Sequence, residues 1–142
     1  MPTFRFQFES VLRHRQMVED QARRKLADLL AKRKRMVDEL SQMQGDISSS
    51  KRQLADGLRG SVNLEQIGRF ANYSGQVTLR AQTLVRQVAV FDREVQQTRS
   101  ELLKATQNRR ALELLRDKRL EQWRQEQERR ESAELDEAAM QR

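Results

Sequence analysis

Carboxylates are the most numerous side chains here that could do chemistry, and their neighbours argue against it. Asp and Glu interleave with Arg and Lys along most of the chain, the pattern of a solvated helical surface. General acid–base work needs a pocket that shifts a carboxyl pKa towards the working pH. His14, the single histidine, stands between Arg13 and Arg15 and reads as a plain surface residue. There is no cysteine, which excludes a thiolate nucleophile, disulfides and thiolate metal sites. No phosphate-binding glycine loop and no HExxH pair is present. The expectation is a protein that is not an enzyme and uses no cofactor and no metal.

Two other groups of residues bear on binding. The run KRKR at 32–35, with a net charge of +7 and a pI near 10.5, raises the possibility of an anionic partner such as nucleic acid. Asp28, Asp38 and Glu39 flank that run and dilute its field. A basic leucine zipper would place a longer basic helix ahead of an uninterrupted zipper, whereas these cations sit inside an apolar repeat. A solvated face with a snorkelling Arg33 is therefore favoured, and no nucleic acid is expected. The second group is Asn72, Gly75, Gln76 and Leu79, which share one helical face, with Tyr73 beside it. An exposed helical glycine costs up to about 1 kcal/mol against alanine but lets another backbone come close. That face is a candidate docking patch.

The elements that position these residues follow from periodicity. A stripe in alternating steps of four and three runs Phe8, Leu12, Arg15, Glu19, Ala22, Leu26, Leu29, Arg33, Met36, Leu40, Met43, Ile47, Ser50, Leu54, Gly57. Val11, Val18, Leu30, Val37 and Leu58 widen it. A second stripe runs Ile67, Phe70, Ser74, Val77, Ala81, Leu84, Val88, Phe91, Val95, Thr98, Leu102, Ala105, Arg109, Leu112. A 3.5-residue spacing held this long predicts coiled-coil helices. Few breakers, 35% charged residues and 37% hydrophobic residues fit a thin apolar seam better than a thick core. No segment approaches the roughly 20 apolar residues of a membrane span, and the first residues have no signal-peptide character.

Between the stripes, Gly57 and Gly60 are placed to end a helix in left-handed conformations. Asn63 with Gln66 forms a capping box, bracketed by Val62 and Ile67 as a hydrophobic staple. The expectation is all-α: one domain over 1–142, with helix one at about 5–58, a turn at about 59–63 and helix two at about 64–140. The helices form an antiparallel coiled-coil hairpin in which the second is longer and overhangs. Heptads alone leave a long parallel dimer open; the glycines and the cap favour the hairpin, a monomer when free. Gly45 with Ser48, Ser49 and Ser50 predicts a kink or frayed section.

A turn near 61 brings Phe8 opposite Leu112 and Leu115. Phe4 and Phe6 then reach towards Leu115, Leu120 and Trp123, an apolar end cluster. Beyond Trp123 the second stripe fades: Glu126, Arg130, Ala133, Glu137 and Met140 occupy its positions. Residues 109–142 carry 9 basic and 9 acidic side chains, so this end is densely charged yet neutral. It is expected to fray unless a partner surrounds it.

In this order and spacing the chain resembles the FliJ family, small coiled-coil proteins of flagellar type III export. The opening FRFQFESVLRHRQMVEDQARRKLADL carries a Phe-rich lead, then Leu12, Arg15, Glu19, Ala22 and Leu26. Asn72 and Tyr73 follow the turn; Arg99, Leu102, Ala105, Leu112, Glu113 and Leu115 fit the second helix. Trp123 and LDE at 135–137 fit the end. Gln76 and Arg80 depart from the apolar character the resemblance would put after Tyr73.

The resemblance implies a stalk that inserts its termini end into a hexameric export ATPase, promotes hexamerisation and activity, and couples it to a transmembrane export gate and to export chaperones. On that basis Phe4, Phe8, Leu115, Arg119, Trp123 and Arg130 would meet the ATPase. Phe70, Asn72, Tyr73, Gly75, Gln76 and Leu79 would meet the gate or chaperones. The implied location is cytoplasmic, peripheral to the inner membrane face at the flagellar base. The rival readings are an adaptor that never enters a ring and a basic coiled coil that binds nucleic acid.

Overall fold

Every position of the second stripe from Ile67 to Leu112 is buried or half-buried, and so is every position of the first stripe except Gly57. The computed structural model describes residues 2–58 and 63–142. Among them are two helices, α1 (Glu9–Gly57) and α2 (Leu64–Met140), and no strand. The helices pack as an antiparallel hairpin, with α2 at 77 residues against 49 for α1. Each helix has an apolar stripe that water would otherwise wet, and each stripe covers the other.

The contacts fall into two compact units. Unit 1 is Met1–Arg23 with Ser100–Arg142, and unit 2 is Arg24–Arg99. In unit 1, Phe6, Leu12 and Leu112 are buried together, with Phe4, Phe8 and Leu115 packed against them. The Phe4 and Trp123 rings tilt at 56° with centroids 6.1 Å apart, and Phe6 meets Phe8 edge-on at 5.8 Å. In unit 2 the seam holds Leu29 and Leu84 in its interior. Cross-helix pairs there are Arg33 to Asp92 at 2.5 Å and Arg80 to Glu39 at 3.4 Å, the pairing expected of a turn centred near 61.

Three local expectations are corrected. Helix one does not begin near 5. Residues 2–6 lie outside the helix, and along Phe4–Arg5–Phe6–Gln7–Phe8 the phenylalanines face inwards while Arg5 and Gln7 are exposed. The lead lays its three phenylalanines on one side, and Gln7 and Phe8 form the turn into α1, with Glu9 N–H donating to the Phe6 carbonyl at 3.3 Å. Gly57 is not left-handed; Leu58 N–H still donates to the Leu54 carbonyl at 3.1 Å, so the helical pattern outruns the glycine. The section 44–50 is not frayed: α1 is helical without interruption from Glu9 to Gly57, and Met43, Ile47 and Ser50 are half-buried along it.

Gly60, Val62 and most of the proposed turn lie outside the described residues. The cap at Asn63 is half of the expected box. Its Oδ1 accepts from Glu65 N–H at 3.0 Å, while the Gln66 side chain is turned towards Gly57 instead. At the far end α2 continues to Met140. Helix-forming Glu, Arg, Gln and Ala dominate that segment, and Glu126 pairs with Arg129 at 2.9 Å and Arg130 at 3.4 Å.

Nothing stands within 4 Å of where a Cβ on Gly45 would point. Gly45→Ala is therefore expected to stabilise the protein by about 0.5–1 kcal/mol, read as a higher thermal midpoint. Phe6→Ala is expected to cost about 3 kcal/mol through the cavity it leaves.

Candidate interaction surfaces

The polar residues that interrupt the stripes meet across the helices of unit 1. Glu19 is buried, with a side chain only 6% exposed. Its Oε2 accepts from Arg109 Nε at 2.6 Å and its Oε1 pairs with Arg23 at 2.8 Å. Arg109 reaches on to Glu113 at 2.7 Å. Arg15 donates to the Asn108 carbonyl at 2.8 Å, and Arg116 pairs with Glu9 at 3.3 Å. A buried carboxylate costs desolvation unless partners offset it. Here the Arg109 guanidinium, followed by Arg23, holds the Glu19 carboxyl below the usual carboxylate range against the opposing effect of burial. Arg109 also holds Glu113 low.

This ionic layer sits beside the aromatic end cluster and ties α1 to α2 there. Of the residues expected to meet an ATPase, Phe4, Phe8, Leu115 and Trp123 are half-buried. Phe4 reaches the Trp123 ring directly, and Phe4, Phe8 and Leu115 pack on one buried core. Arg119 and Arg130 are exposed on α2 outside that cluster. Arg130 pairs with Glu126, whose carboxyl is held low first by Arg129 and then by Arg130. Past Glu126 and Gln127 every residue of α2 is exposed, including Leu135 and Met140.

The turn-side residues divide between two places. Phe70 is half-buried in the seam of unit 2 and, with Tyr73, Leu54, Gly57 and Gln66, lines an open hollow of about 340 Å³. Asn72, Gly75, Gln76 and Leu79 are exposed, Leu79 at 65%, and nothing approaches the Gly75 Cβ position. They share the outer face that helical spacing gives them.

One feature of unit 2 was not legible as a groove. An open groove of about 690 Å³ lies between the helices, lined by Leu40, Met43, Ile47, Val77, Ala81 and Val85 among others. The nearest sequence signal was the widened stripe. Leu30, Val37 and Gln44 follow one another at heptad spacing, as do Thr78 and Val85, and Gln44, Thr78 and Val85 line the groove.

The KRKR run is largely neutralised. Lys32 pairs with Asp28 at 3.0 Å, Arg33 with Asp92, and Lys34 with Asp38 at 3.8 Å. His14 is exposed. Among the described residues, no helix is long and apolar enough to cross a membrane.

The model of one family, described as "Flagellar FliJ protein", matches residues 4–142. No curated protein and no solved structure matches the chain.

The ionic layer has a pH signature. A carboxyl whose folded pKa is depressed stabilises the fold above its unfolded pKa, near 4.3, and that stability is lost as pH falls through the folded value. The protein is therefore expected to hold its thermal midpoint from neutral pH to about pH 5 and lose it steadily below pH 4. Glu19→Gln lowers the neutral-pH midpoint, on the order of 5 °C, and flattens the acid limb. A pH series of melting curves by circular dichroism on both proteins checks this.

Proposed function

Since the chain belongs to the FliJ family of non-enzymatic flagellar export proteins, we propose that it is the stalk and adaptor of the flagellar type III export apparatus. In this reading the end that carries both termini enters the ring of the hexameric export ATPase and promotes hexamer formation and turnover. The observation that carries it is the end of unit 1. An aromatic cluster is followed there by a helix that runs from Gln127 to Met140 with no partner helix beside it and charges of both signs around it. A densely charged helix with no buried stripe suits a surrounding protein lumen better than a flat apolar interface.

The turn-side face of Asn72, Gly75, Gln76 and Leu79, together with Phe70 and Tyr73, is proposed to dock the transmembrane export gate or the export chaperones. The protein then works on the cytoplasmic side, peripheral to the membrane at the flagellar base, and is monomeric at low concentration. Both ends act through binding, so no residue of the chain is assigned to catalysis.

The purified protein is expected to raise the turnover and hexamer fraction of the cognate export ATPase. Arg119→Glu, an exposed change that leaves the fold intact by circular dichroism, is expected to raise the concentration needed for half-maximal stimulation by about tenfold or more. An ATPase indifferent to the unmodified protein in both turnover and assembly state rules the stalk reading out. Leu79→Arg is expected to abolish capture of the gate's cytoplasmic domain or of chaperones while ATPase stimulation survives.

A further inference from the structure

We propose that the groove of unit 2 receives the end of α2, residues 131–140, from a second copy of this chain. The groove needs an occupant with specific properties. Its floor is apolar, from Leu40, Met43, Ile47, Val77 and Ala81, and Val85 on its wall is 56% exposed. No carboxylate is found among its described lining residues, and Arg86 is. Lys51, exposed and one heptad beyond Gln44, extends the same flank. An acidic helix with a small apolar stripe fits this combination.

The chain owns such a helix. Residues 131–142, ESAELDEAAMQR, carry four acidic side chains and one basic one, Arg142. Leu135, Ala138 and Ala139 fall on one face by helical spacing, and Leu135 is 72% exposed and Met140 88% exposed. Small alanines let the tail backbone sit low between α1 and α2, with Leu135 filling the groove and the acids facing Arg86 and Lys51. Groove and tail both lie on α2, and an unbroken helix cannot fold back on itself. The tail must therefore come from another molecule. The contact is head-to-tail, so each copy keeps one free groove and one free tail and the association does not close on itself.

Two or three helical turns bury less surface than a stable dimer requires. The contact is accordingly weak, with a dissociation constant of roughly 10–100 µM, and weaker still in high salt because its charges are exposed. If the tail is engaged by the ATPase, the groove of a neighbouring copy is freed; that consequence rests on the stalk reading, while the association itself does not.

Sedimentation velocity on the full chain from 5 to 500 µM tests it. The expected result is a weight-average mass that climbs with concentration and falls back in 0.5 M NaCl. Leu135→Asp and Val85→Asp, both at exposed positions, are each expected to remain monomeric at every concentration with unchanged circular dichroism. Mixed together they are expected to recover a 1:1 pair and nothing larger, because the first supplies an intact groove and the second an intact tail. A monomer at all concentrations overturns the proposal. So does association that survives either substitution, or a mixture that does not pair.

Discussion

Neither helix can keep its apolar stripe dry alone. A helix of this composition gains little from propensity, and its stability comes from the seam in which Leu12, Leu29, Leu84, Val95, Ala105 and Leu112 are buried. Full burial of one such aliphatic side chain is worth about 1.5–3 kcal/mol, and the seam is one residue wide. The overhang and the groove are therefore places where this mutual covering is incomplete. The overhang begins where α1 has no more chain to offer, and the groove opens between the helices where Leu40, Met43, Ile47, Val77 and Ala81 are only half-buried.

The ionic layer at Glu19 and Arg109 is the most demanding point of the seam. A buried ion pair rarely adds net stability over a well-packed apolar pair. Its effect is on which pairings are allowed. Side by side in a parallel dimer, Glu19 would meet Glu19 and Arg33 would meet Arg33, with like charges at seam positions. In the antiparallel hairpin Glu19 finds Arg109 and Arg33 finds Asp92. The alternative that heptad spacing leaves open is disfavoured by the residues that interrupt the heptads.

Much of this was legible from spacing alone. The stripe positions are the covered positions, because a 3.5-residue period admits one seam. The end cluster of Phe4, Phe6, Phe8, Leu112 and Trp123 followed from the placement of the turn. The non-helical lead was missed because FRFQF is too short for its alternation of aromatic and polar residues to compete with the helical pattern next to it. The unbroken helix through Gly45 was missed because propensity is a local quantity, and Met43 and Ile47 on either side are held by tertiary contacts. The groove was not legible: Leu30 and Val37, which widen the stripe, do not line it, and the residues that do include seam positions such as Leu40, Met43, Ile47, Val77 and Ala81, whose spacing predicts only that they are covered. Surfaces that act by binding carry no spacing rule comparable to a catalytic motif, and so Asn72, Gly75 and Leu79 could be placed on a face without being assigned a partner by the sequence itself.

The aromatic lead has a consequence for the making of the protein. Phe4 rests on Trp123, a residue more than a hundred positions later in the chain, and Phe6 rests with Leu112. On the ribosome those phenylalanines have no α2 residue to cover them until Leu112 and then Trp123 have been made. Unit 2, whose helices flank the turn, can close much earlier, since short loops close at low entropic cost. Loop-closure entropy thus favours closure from the middle outwards, with the two ends the last to meet. For most of synthesis the nascent chain displays the exposed aromatic segment that chaperones recognise in unfinished proteins.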